Sequence, residues 1–263
     1  MNKLKPKTVY IHIPKCAGNS VFRSLHIATG SKKNMMQDSI AIHNSARLFS
    51  KLQDEDKFQE RLLLNKQVLL AFHLNQDFTC IGGHFVFCPL IHSSVSSEVN
   101  FFTLLRDPVK RLKSHISYLL LAHPRTCVED YMTGVVSIEE EISVMLNDPL
   151  SKWLGRQQCL YLGGLNHKGD ADLENCLDNA KKSLKLFDLI GFVDNLDNFT
   201  ESFFKKYKKT LITKHQNTIQ TVANNNTILL QKINLCLNSH EKKIKELSEL
   251  DIELFDYAIK NFN

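Results

Sequence analysis

Short apolar runs along the chain alternate with longer stretches in which apolar residues recur every three or four positions. The first run, Val9-Tyr10-Ile11-His12-Ile13, alternates and is largely β-branched, which predicts a strand. After Ser20, Val21, Phe22, Leu25, Ala28 and Thr29 fall at helical spacing, predicting a helix from near Val21. Gln59 to Leu74 carries Leu62, Leu63, Val68, Leu69 and Phe72 and reads as an interrupted helix. Phe78-Thr79-Cys80-Ile81 predicts a second strand closed by Gly82-Gly83, and Asn100 to Leu105 a third. The third is nearly all apolar, as buried parallel strands are. Arg106-Asp107-Pro108 ends it: Asp107 suits a helix cap and Pro108 the first turn. That helix runs to about Leu121 on Val109, Leu112 and Ile116.

Further helices are predicted over Ser137 to Met145, Leu150 to Leu162 and Asp170 to Phe187. A fourth strand follows at Asp188 to Val193, then helices at Leu196 to Tyr207, Thr227 to Leu237 and Glu241 to Phe262. Ser31 to Gln53 is polar without a clear period and reads as a loop with short helical pieces, and Thr210 to Asn226 is polar and reads as a loop. Strands alternating with helices predict an α/β fold. Its P-loop-like central parallel sheet should hold about four to five strands, with helices on both faces. No repeat or low-complexity linker interrupts the chain, so a single domain over residues 1–263 is expected.

Composition narrows the function classes. With 33 basic and 28 acidic residues the net charge is +5, a modest excess that suits an anionic ligand. Nucleic-acid binders carry a stronger and more clustered bias, so no nucleic-acid partner is expected. The 7 cysteines form no C-x-x-C pair and are odd in number, which argues against a zinc site and a disulfide framework. Free thiols, the lack of any apolar run of about 20 residues and a first strand close to Met1 predict a cytoplasmic protein without a transmembrane segment.

The chemistry concentrates in Pro14-Lys15-Cys16-Ala17-Gly18-Asn19-Ser20, between the first strand and the first helix. Helix N-terminal N–H groups lack intrahelical partners, and the helix dipole favours negative charge there. Gly18 allows close backbone approach, Ser20 offers a hydroxyl and Lys15 a charge. A Walker A loop needs G-x-x-x-x-G-K-[ST], and Asn19 stands where that pattern needs Lys. An ordinary ATPase or kinase is therefore disfavoured. Ligands in open α/β sheets bind at the carboxyl ends of strands. The second strand end presents His84, and the third presents Arg106 with Ser114 two helical turns on.

These residues resemble a known family. Ile13 to Ser20 is similar to the 5′-phosphosulfate loop of sulfotransferases, P-K-T-[AG]-G-T-[ST]. Leu105-Arg106-Asp107-Pro108-Val109-Lys110-Arg111-Leu112-Lys113-Ser114 is similar to their 3′-phosphate motif, R-D-P-x-x-R-x-x-S. Gly83-His84-Phe85-Val86-Phe87 between them resembles the G-H-x-x-[FY] segment of the carbohydrate branch typified by heparan sulfate 2-O-sulfotransferase. Gln158 to Gly163, Gly191 to Asn195 and Leu250-Asp251 through Leu254-Phe255 echo weaker family patterns. The resemblance implies the sulfuryl donor 3′-phosphoadenosine 5′-phosphosulfate (PAPS), no metal, and a small-molecule or oligosaccharide acceptor.

It also implies roles. The N–H groups of Cys16, Ala17, Gly18, Asn19 and Ser20 would hold the 5′-phosphate, and Lys15 would neutralise the leaving phosphate oxygen. Arg106 and Ser114 would hold the 3′-phosphate, and His84 would be the general base. Each has a structural alternative: a solvated Lys15, an Arg106 paired with Asp107, a packing Ser114, a merely hydrogen-bonded His84. His12, His73 and His115 are competing bases, with His12 read as core. Cys16 and Asn19 replace the family's common Thr; backbone contacts survive both changes. Beside Lys15 and a helix N-terminus, the Cys16 thiol is expected to be acidified. Acceptor specificity is expected in Ser31 to Gln53, His123 to Asp148 and Thr210 to Asn226, with Lys214 to Thr218 closing over the adenine. The competing class is a catalytically inactive nucleotide-binding scaffold or sensor of the same fold.

Overall fold

The computed structural model describes residues 4–30, 34–36, 58–122, 137–148, 151–212 and 227–263. Most of the expected acceptor loops, and Lys214 to Thr218, lie outside them. Five strands form one parallel sheet: β1 (Lys7–Ile11), β2 (Asn34–Met36), β3 (Cys80–Gly83), β4 (Val99–Leu105) and β5 (Leu189–Phe192). Their order is β2-β3-β1-β4-β5, so β1 is central and its two neighbours lie on opposite sides. The register sets Ile11 beside Gly83 and Thr103, which brings three strand ends together. Chain order reverses at β1, and ligand crevices of open α/β sheets form where it does.

Helices α1 (Gly18–Thr29), α2 (Phe58–Leu74), α3 (Pro89–Val95), α4 (Pro108–Ala122), α5 (Ile138–Asn147) and α6 (Ser151–Gly155) precede β5 with α7 (Gln157–Gly163) and α8 (Cys176–Leu184). After it come α9 (Leu196–Tyr207), α10 (Thr227–Ser239), α11 (Glu241–Leu247) and α12 (Glu249–Phe262). Every residue of β4 is buried. The main apolar cluster joins β1, β3, β4 and β5 to α1, α7, α8, α9 and α12, and a second joins α4, α5, α10 and α11. Gly82 is a point of close approach: a Cβ there would come within 2.2 Å of the Phe22 ring of α1. Among the described residues no helix is long and apolar enough to cross a membrane.

Three predicted helices are shorter or divided. Leu150 to Leu162 is two helices, because the Asp251 carboxylate accepts from the N–H groups of Gln158 (2.9 Å) and Cys159 (2.8 Å) and so caps a new helix start. Glu241 to Phe262 divides at Ser248. Asp170 to Phe187 is helical only over Cys176–Leu184. Upstream of it, Asn166 Oδ1 accepts from the N–H groups of Lys168 and Asp170, and Leu165 bridges to Ala171, which makes a tight turn. Strand β2 and helix α3 fall where no element was expected.

Candidate functional site

The loop from β1 to α1 is held in unusual backbone. Lys15 (φ 68°) and Ala17 (φ 52°) are both left-handed, a conformation costing a non-glycine residue about 1–2 kcal/mol. Left-handed residues in such loops turn successive N–H groups toward a common point and make anion-binding concavities. Helix α1 starts at Gly18 without a side-chain cap. Among the described residues no acceptor meets the N–H groups of Gly18, Asn19 and Ser20. Asn19 is exposed, Ser20 half-buried and Cys16 fully buried.

Arg106, at the end of β4, reaches into this loop: its Nη1 donates to Lys15 O at 3.0 Å. Arg106 and Lys15 therefore share one end of the sheet. Arg106 does not pair with Asp107, whose Oδ1 instead accepts from Lys110 N at 2.8 Å and caps α4. The Gln158 side chain clamps the Arg106 backbone from both sides, accepting from its N–H (3.1 Å) and donating to its carbonyl (3.0 Å). Arg106 Nε is buried with no hydrogen-bond partner. A buried guanidinium N–H without an acceptor is costly, and an incoming anion would satisfy it. Ser114 is buried on α4, 7% exposed.

The Lys15 ammonium lies 4.3 Å from the centroid of the Tyr118 ring, also on α4, a cation–π contact the sequence did not point to. Burial, helped by the positive charge of Arg106, holds Lys15 down to about 8. The acidified Cys16 thiol expected from its neighbours is overturned. Burial pushes it up to about 12, outweighing the lowering by Arg111, Arg106 and Lys15, so it is neither nucleophile nor charged ligand.

His84 follows β3 and lies across from the loop. Its Nδ1 donates to the His12 carbonyl at 2.8 Å, which places the lone pair of the neutral ring on Nε2. The His12 ring stacks on it at 4.3 Å, and Tyr161 stands perpendicular at 6.2 Å. His12 is buried and held well below the ordinary imidazole value by burial, then by His84 and Lys15. His115 is half-buried, and desolvation with Arg111 lowers it to about 3. His73 sits among Phe72, Phe78 and Phe85. Of the four candidate bases, His84 has its tautomer assigned by a short hydrogen bond at the strand end. Gly18 packs on His12 so closely that a Cβ would fall 1.9 Å from His12 Nε2. The loop, His12 and His84 thus form a stack of three layers.

Among the described residues Arg111 makes no hydrogen bond to the loop. Fully buried, it sets Nε 3.7 Å from Asp251 Oδ2, donates through Nη1 to Gln157 Oε1 at 3.1 Å, and through Nη2 to the Leu154 carbonyl. Burial pushes the Asp251 carboxyl up, opposed by Arg111 and by the two N–H groups it caps. This pair ties α12 and α4 to the start of α7, which carries Gln158 and hence the clamp on Arg106. Gln158 and Asp251 lay within the weaker patterns of the sequence, but nothing there assigned them this role.

Compared with known families and characterised proteins, the chain matches no family model and no curated protein.

Proposed function

We propose that the chain is a sulfotransferase that moves the sulfuryl group of PAPS to a hydroxyl of a sugar or glycoconjugate. The observation that carries this reading is the Arg106 guanidinium, 3.0 Å from the Lys15 carbonyl and with a buried Nε seeking an acceptor, set beside an uncapped helix start. The donor set is rich in N–H groups and poor in carboxylates, which fits a nucleotide with phosphates at two positions. The N–H groups of Gly18, Asn19 and Ser20 would hold the 5′-phosphate; Arg106 and Ser114 would take the 3′-phosphate. PAPS supplies the activated sulfuryl group.

The chain's own residues do the rest. His84 Nε2 takes the proton from the acceptor hydroxyl as its oxygen bonds to sulfur. Lys15 neutralises the charge that builds on the phosphate oxygen as the old S–O bond breaks. In-line transfer of this kind is catalysed mainly by positioning and charge stabilisation. Calorimetric titration with adenosine 3′,5′-bisphosphate tests the nucleotide site, and Arg106→Ala should weaken binding at least about tenfold. A screen of sugar and glycoconjugate acceptors with radiolabelled PAPS, read by product mass, tests transfer. No binding by the native chain, or an unaffected Arg106→Ala variant, overturns the proposal. Nucleotide binding without transfer to any acceptor would instead identify an inactive scaffold or sensor.

A further inference from the structure

Lys66 is a lysine on the inner face of α2, only 3% exposed. Its ammonium donates to Tyr161 Oη at 2.6 Å and lies 4.2 Å from the centroid of the same ring. Among the described residues no carboxylate stands within ion-pair distance of it. A methionine would fill this volume without the several kcal/mol that burying an ammonium costs. The hydroxyl it holds belongs to the ring that stands at 85° to His84. Tyr161 is fixed from its backbone side as well, where its carbonyl accepts from Phe87 N at 2.8 Å.

We propose that Lys66 is a positioning residue for His84, acting through Tyr161: the ammonium fixes the hydroxyl, and the ring so held keeps the imidazole stacked on His12. This deepens the sulfotransferase reading and, where turnover is concerned, rests on it. Tyr161 of α7 faces the Lys66 ammonium directly, through both its hydroxyl and its ring. Beyond Tyr161 lie His84 and, acting on the Tyr161 hydroxyl, Arg111. Burial holds Lys66 down to about 7, so its charge changes in the range where an imidazole titrates.

The test is the NMR titration of the His84 ring in the native chain, Lys66→Met and Tyr161→Phe, with turnover and adenosine 3′,5′-bisphosphate affinity measured alongside. In Lys66→Met the titration midpoint or the ring shifts of His84 should move, because Tyr161 loses the group that fixes its hydroxyl. In Tyr161→Phe, which keeps both the ring and the ammonium, the midpoint or ring shifts of His84 should also move. In both, turnover should fall about tenfold while nucleotide affinity stays within about twofold. An unchanged His84 titration in both folded variants overturns the link. If Lys66→Met does not fold, Tyr161→Phe decides. Failure of the native chain to bind the nucleotide strikes the sulfotransferase reading alone, because the His84 titration is read without any substrate.

Discussion

Two residues of the loop, Lys15 and Ala17, carry unfavourable backbone, and the proposed chemistry asks nothing of the Ala17 methyl. Ala17→Gly should therefore relieve the left-handed strain and raise stability by up to about 1 kcal/mol, read from urea unfolding. Gly18→Ala should do the opposite. Its methyl would overlap the His12 imidazole, so both stability and nucleotide affinity should fall together. Lys15, held down to about 8, gives a proton-linked prediction. Above that pH the unbound chain has a neutral amine, and an arriving phosphate re-protonates it. Nucleotide binding should then take up a proton above about pH 8 but not at pH 6, measurable by calorimetry in buffers of different ionisation enthalpy. Lys15→Met should abolish the uptake.

At the scale of elements, the buried Arg111–Asp251 pair is where α4, α7 and α12 meet. Removing one member strands the other in an apolar interior, so Asp251→Ala should cost about 3–5 kcal/mol in chemical denaturation. Gln158→Leu leaves the N–H and carbonyl of Arg106 without their partner and should cost about 1–3 kcal/mol, with weaker nucleotide binding. These contacts mark the boundary of what the sequence discloses. The strands at β1 and β4, the loop at Lys15 and the cap at Asp107 depend on neighbours a few positions away, and local pattern reveals them. The break between α6 and α7 depends on a carboxylate some ninety positions downstream, which no local pattern carries. Lys66 was hidden for a related reason: on a helix with apolar residues on several sides it reads as one more solvated lysine. Tyr118 likewise joins the site only when α4 packs over the loop.

For the molecule as a whole, the buried groups set a pH optimum of stability. Lys15 and Lys66 are held down to about 8 and about 7 from the ordinary lysine value of 10.5, so the unfolded chain binds more protons and stability rises with pH from about 7. Cys16 and Cys80 are pushed up from 9.0 to about 12, so above about pH 9 the unfolded chain gives up thiol protons that the folded chain keeps; this cancels the lysine gain and lowers stability once the pH passes about 10.5. Urea midpoints across pH 6 to 11 should climb to a plateau near pH 9 and decline above about pH 10.5; a curve that rises or falls throughout would contradict these assignments. The imidazole of His12, wedged between Gly18 and His84, has a consequence for descent. Side chains at 12 and 18 compete for one volume, so related chains that enlarge position 18 must shrink position 12 in compensation. Such a lineage would surrender the shelf on which the His84 ring rests, and the orientation of that imidazole would drift along with the exchange.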